Sequence, residues 1–176
     1  MIGLLLVSTV LLGPAATVTE AVHDLMGARD LDPAVRQAQV LAVAHRVMDF
    51  EGMARAALGE TAWEALTIPE RAIVAHAFER FLGQLYLDRV ADLVSPEGLV
   101  ILSERTVGDR AEVASRLAVK GDEWDVVLHL RGGAGAWRIV DLVVGGVSLV
   151  ANYRSQFRTI LRREGSAGLL KRLEQP

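Results

Sequence analysis

The sequence predicts an α+β domain: helices first, then a four-stranded antiparallel meander, then a closing helix. Three observations predict it. Apolar residues recur at helical spacing as far as Val94. They switch to alternation between Leu99 and Val144, and helical spacing returns after Gly145-Gly146. The strands are joined by Gly108-Asp109, Gly121-Asp122 and the glycine-rich segment from Gly132 to Ala136. All three joints are of hairpin size, so sequential antiparallel pairing is the simplest topology.

The elements follow in order. Ile2 to Leu12 is a mostly apolar run, too short for a membrane-spanning helix, which needs about 20 residues. It has the length of a signal-peptide core and is followed by a Gly13-Pro14 breaker and small residues, although no Lys or Arg precedes it. Residues 1–17 therefore read as a signal peptide and residues 18–176 as one domain; an uncleaved anchor or a core helix are the other readings of that run. Asp32-Pro33 starts a helix towards Met48, with Val35, Ala38, Leu41, Ala42 and His45 as its apolar face. Asp49 caps a short helix ending at Leu58-Gly59. Thr67 to Glu70 is a capping box opening the longest helix before the strands, expected to run to Val94 before Pro96 with Val74, Phe78, Phe81, Leu82 and Leu85 buried.

In the strands, Ala111, Val113, Ser115, Leu117 and Val119 alternate with charged neighbours, as do Trp124, Val126, Leu128 and Leu130. Leu99 to Thr106 and Trp137 to Val144 complete the sheet. The closing helix carries one apolar stripe of Leu149, Val150, Tyr153, Phe157, Ile160 and Leu161. A second row, Arg154, Arg158 and Arg162, is one in which like charges repel at i, i+4 spacing.

Composition narrows the function. The 176 residues are 51% apolar and only 5% aromatic, with a mean hydropathy of +0.29. That points to a hydrophobic leader, or to more aliphatic interior than packing alone requires. The lack of cysteine excludes disulfides, thiolate metal sites, thiol catalysis and an acylated cysteine anchor. Residues 1–150 hold 13 Lys and Arg against 20 Asp and Glu, whereas residues 151–176 hold 6 against 2. The acidic body argues against nucleic acid. The basic tail suits a solvated helix end, an acidic partner or lipid phosphate.

Candidate chemistry is sparse. Gly146-Val147-Ser148 resembles the start of a nucleophile elbow, but Val150 stands where the second glycine belongs, and all four histidines lie upstream. Ser148 is therefore expected to cap the closing helix. Asp141, inside an apolar strand, reads either as a buried general base, with His129 as its partner, or as the ion-pair partner of Arg138 or another cation. No histidine pair has metal-ligand spacing, and the glycine-rich link opens no helix that would hold phosphate.

Two stretches resemble the MlaC, or toluene-tolerance, family of periplasmic phospholipid-binding proteins. The first comprises Asp49-Phe50, Met53-Ala54-Arg55, Leu58-Gly59, Trp63, Thr67, Glu70-Arg71, Phe81 and Tyr86. The second comprises Trp137, Arg138, Ile139, Asp141, Gly146 to Val150 and Asn152 to Phe157. Gly145 departs from the family, which usually carries glutamate there. The hopanoid-associated branch shares the first motif and matches the second less well.

The resemblance implies an apolar lipid cavity between sheet and helices in a periplasmic, non-enzymatic carrier. Its cargo is phospholipid, with no cofactor and no metal. Its partners are an inner-membrane MCE-domain ABC transporter complex and an outer-membrane lipoprotein–porin complex, with only transient membrane contact. The expected role is retrograde transport that maintains outer-membrane asymmetry. Phe78, Leu82, Tyr86, Val126, Leu128, Val143, Val147, Tyr153 and Phe157 are the expected cavity lining, the Tyr153/Phe157 stripe closing it, and Arg154 the expected head-group or partner contact. The alternatives are another envelope hydrophobe binder, hopanoid-associated or not, and more distantly a cone-shaped enzyme using Asp141 and His129.

Overall fold

The computed structural model describes residues 12–87, 99–119, 122–133 and 135–174. Five helices come first: α1 (Pro14–Gly27), α2 (Pro33–Val47), α3 (Phe50–Leu58), α4 (Glu60–Glu64) and α5 (Ile68–Leu82). One π-helical turn, Gly83–Leu87, extends α5; the rest of the helix expected up to Val94 lies outside the described residues. The strands are β1 (Leu99–Val107), β2 (Arg110–Val119), β3 (Asp122–Gly133), β4 (Ala136–Val144) and β5 (Val147–Ser148), and α6 (Leu149–Glu174) closes the chain. All neighbours pair antiparallel in the order β1-β2-β3-β4-β5. The fifth strand is two residues long. It exists because Gly145 and Gly146, at φ +56° and +80°, turn the chain back onto β4 before the helix begins.

The helix starts follow the sequence chemistry. Asp32 accepts from the Ala34 amide at 3.1 Å, Asp49 from the Gly52 amide at 2.8 Å, and the Thr67 amide donates to Glu70 at 2.8 Å. Three arginines serve the opposite ends. Arg71 donates to the carbonyls of Trp63 and Glu64, Arg138 to those of His45 and Met48, and Arg154 to that of Ala56. Each satisfies carbonyls that a helix end leaves without an intrahelical partner.

Helix α2 corrects one expectation. Its buried stripe is Val40, Val43, Ala44 and Val47, while Val35 is 54% and Leu41 37% exposed. The segment from Val40 to Ala44 is apolar on nearly every side, so a spacing rule fits two faces equally well. The packing partners, α1 and the sheet, select between them.

Two apolar cores result. One is wholly helical: Phe50, Met53, Ala54, Ala57 and Leu58 of α3, Trp63, the α5 face from Val74 to Leu82, and Val150, Tyr153, Phe157, Leu169 and Leu173 of α6. The other lies on one face of the sheet, where Ala111, Val113, Val126, Leu128, Leu130 and Ile139 pack under Val18 and Ala21 of α1 and Val43 and Val47 of α2. Met48 packs against both cores, and beside it the Asp49 amide donates to the Ile139 carbonyl at 2.9 Å. Helix α1 runs across residues 17 and 18, where the sequence puts the leader boundary.

Candidate functional site

The junction from β4 to α6 is built around Asp141. Its carboxylate accepts from the Leu142 amide at 2.8 Å, the Ser148 hydroxyl at 2.6 Å and the Val150 amide at 3.0 Å. Ser148 Oγ in turn accepts from the Ala151 amide at 3.0 Å, which makes it the helix cap that the sequence predicts. Asp141 does not pair with Arg138, against expectation, because that guanidinium is turned to the end of α2. One strand amide, one helix amide and a hydroxyl satisfy the carboxylate instead, at the positive end of the α6 dipole. His129 stands opposite Asp141 in the β3–β4 register, but its ring contact is Glu112, 3.9 Å away across the β2–β3 pair. The Ser148 hydroxyl and the Asp141 carboxylate thus serve each other and the backbone.

The predicted lining residues separate into distinct settings. Phe78, Leu82, Tyr153 and Phe157 belong to the helical core, which contains no strand residue. The Phe78 ring lies 5.6 Å from Tyr153 and 5.7 Å from Phe157, both edge to face, and Phe81 lies 5.3 Å from Tyr153. The Tyr153/Phe157 stripe therefore packs on α5. Val126 and Leu128 lie in the sheet core. Val143 pairs with Ser148 and Val127 and by register faces the other side of the sheet from Val126 and Leu128. Val147 is 62% exposed. The Tyr86 side chain lies outside the described residues.

The register reveals an apolar band that the sequence does not single out. On the face that carries the sheet core, Leu99 pairs with Leu117 and Leu117 with Trp124, while Val126 pairs with Val144 and Val144 with Val147. At the other end of the same face, α1 and α2 cover Ala111, Leu130 and Ile139. At this end the cover is incomplete: Leu99 and Leu117 are half-buried, Trp124 is 47% and Val144 43% exposed. One aliphatic surface thus runs from a closed end to an open one. Alternation identifies the face, but only the placement of α1 and α2 tells which end is open.

Charge and polar chemistry around this band are modest. Ser115, the one polar side chain buried among the described residues, donates to the Val126 carbonyl at 2.8 Å. Arg116 is held charged, its pKa raised by its hydrogen bond to Asp125 at 3.0 Å. Arg154, the expected head-group contact, donates Nε to the Ala56 carbonyl at 2.7 Å and so ties α6 to α3 while remaining exposed. Among the described residues no group of three or more His, Asp or Glu is placed to hold a metal ion, and no helix is long and apolar enough to cross a membrane.

In structure the chain is similar to the phospholipid-binding protein from Ralstonia solanacearum, solved in complex with a phospholipid. The TM-score is 0.78 at 21% identity, over 91% of this chain and 94% of that one, so the likeness is one of fold. No curated protein matches the sequence. The family described as MlaC protein matches residues 15–175, nearly all of the described structure. The chain belongs to the MlaC family.

Proposed function

We propose that this protein is a periplasmic phospholipid carrier. It would shuttle lipid between the outer membrane and an inner-membrane MCE-domain ABC transporter, with an outer-membrane lipoprotein–porin complex as its other partner, and so maintain outer-membrane asymmetry. It acts by binding and not by catalysis. The observation that carries the reading is the aliphatic band on the sheet, covered at the Leu130/Ile139 end and open at Trp124, Val144 and Val147. Membership of the MlaC family supports it, as does the shared fold with a protein that holds a phospholipid.

The energetic demand on such a carrier is simple. Sheltering an acyl chain is worth about 0.8 kcal/mol per CH₂, so a chain of about 16 carbons needs roughly 13 kcal/mol of apolar contact. A nearly unbroken aliphatic strip along several strands can meet that demand, whereas a compact aromatic cluster already packed on itself cannot. We therefore place acyl contact at Leu117, Trp124, Val126, Val144 and Val147, and give the Phe78–Tyr153–Phe157 cluster the task of holding α5 and α6 together.

Native mass spectrometry of the purified protein tests this. Co-purified phospholipid, or uptake of a fluorescent phospholipid from vesicles, is the expected result. A folded protein that carries no lipid and takes none up overturns the carrier reading.

A further inference from the structure

The strand register sets three arginines side by side. Arg110 of β2 is directly opposite Arg131 of β3, and Arg131 is directly opposite Arg138 of β4. Ala111, Leu130 and Ile139, their neighbours in the chain, are buried under α1 and α2, so the three arginines point from the other face of the sheet. All three are exposed. Arg138 reaches round to the carbonyls of His45 and Met48. Arg110 and Arg131 have neither a hydrogen bond nor an ion pair among the described residues. The nearest acid by register is Glu112, two residues along β2, and its ring contact is His129.

Like charges directly opposite in a sheet destabilise it, and here the opposition is repeated across three strands. Neighbouring strands lie about 4.8 Å apart, so the row spans about 10 Å of exposed sheet surface. Guanidinium groups in such a row match phosphate oxygens in a plane, by paired N–H donors. Val107, next in the row beyond Arg110, is 65% exposed and adds an apolar contact at its end.

We propose that the Arg110–Arg131–Arg138 row is a docking face for the phosphate head groups of an anionic phospholipid bilayer. It lies on the opposite face of the sheet from the acyl band. The identity of the bilayer as partner rests on the carrier reading; the arginine geometry does not. Three exposed guanidinium groups in a row favour an array of phosphodiesters over a single free phosphate, which an open sheet face cannot enclose. The acidic remainder of residues 1–150 repels the same bilayer, so the row also sets the orientation of approach.

Vesicle co-sedimentation tests the proposal. The full chain is compared with Arg110→Gln/Arg131→Gln and with a charge-matched control, Arg158→Gln/Arg162→Gln on α6. Vesicles are phosphatidylcholine alone or with a third of phosphatidylglycerol, at low and at physiological salt. Each cation at an anionic surface contributes about fivefold, so the double variant should bind phosphatidylglycerol vesicles roughly 25-fold more weakly. The control should lose far less, and added salt should erase the difference. The Arg110/Arg131 variant should also melt no lower than the wild type, because the opposed charges are relieved.

An equal loss in the control, or no binding by the wild type, overturns the proposal. So does a wild type that is stabilised by inorganic phosphate, through Arg110 and Arg131, yet ignores vesicles; that result would assign the row to the free ion. Lipid carried through purification, read by native mass spectrometry on the same samples, reports separately on the carrier reading and should not change in either variant.

Discussion

Asn in place of Asp141 is the sharpest probe of the β4–α6 junction. Asp141→Asn keeps the size of the side chain and one oxygen, which can still accept from the Leu142 and Val150 amides. It turns the other oxygen, now bonded to the Ser148 hydroxyl at 2.6 Å, into an NH₂ donor. Ser148 can accept from that donor only by redirecting its own proton, because its Oγ already accepts from the Ala151 amide. The variant therefore loses one charge-assisted hydrogen bond and the negative charge at the start of α6. The expected cost is about 2 kcal/mol. For a domain of this size that corresponds to a fall of about 5 °C in melting temperature.

Ser148→Ala removes a helix cap, at about 1 kcal/mol. Because it also deprives Asp141 of the same bond, the two costs should not add. Urea denaturation of the wild type, both single variants and the double variant closes the cycle, with an expected coupling of at least about 1 kcal/mol. Single costs of a few tenths, or simple additivity, would refute the argument that Asp141 and Ser148 exist for each other.

Three further outcomes follow from the structure. Phe157→Ala empties the centre of a cluster in which Phe157 is 1% exposed, so unfolding should cost about 3–5 kcal/mol less, while lipid bound per folded molecule stays unchanged. Val147→Asp should change stability by no more than about 0.5 kcal/mol, since the side chain is mostly in solvent, yet it should cut uptake of labelled phospholipid; unaltered uptake would remove Val147 from the acyl path. Glu70 has its pKa lowered by hydrogen bonds from the Thr67 hydroxyl and amide. Its contribution to stability is thus complete above the ordinary value of 4.5 and disappears as pH falls through the lower value of the folded state. Glu70→Gln should flatten that part of the acid unfolding curve, and an unchanged curve would mean the capping box plays no part in acid sensitivity.

Local chemistry made much of this fold legible in the sequence. Asp32, Asp49, Thr67 and Ser148 start helices because each makes a capping hydrogen bond that closes within three residues along the chain. The alternation in β2 and β3 marks the buried face correctly, because side chains on a strand can point only two ways. The misread α2 face shows where such reasoning stops. In a segment apolar on most sides, the burial pattern is decided by what arrives from elsewhere, here α1 and the sheet. The same holds for the split between the two cores: Phe78 and Val126 are equally apolar as residues, and only the path of the chain through Met48 assigns them to different interiors.

Register carries the information that one-dimensional reading lacks. Arg110, Arg131 and Arg138 are separated by long stretches of chain and look like unrelated surface charges in the sequence. They become a row only when the β2–β3 and β3–β4 hairpins set their pairing; farther from the hairpin, a bulge on β4 between Ile139 and Asp141 sets the facing of the carboxylate. The bulge matters in both directions. Without the bulge, strict alternation through Val140 would put Asp141 on the same face as Ile139, beneath α1 and α2. The bulge therefore keeps the carboxylate out of the sheet core, brings it to the start of α6, and leaves the acyl band free of charge from Leu142 to Val144. Deleting Val140 should remove the bulge yet leave Leu130 opposite Ile139 and His129 opposite Asp141, so the α6 cap and lipid uptake should both survive, and loss of either would refute the argument.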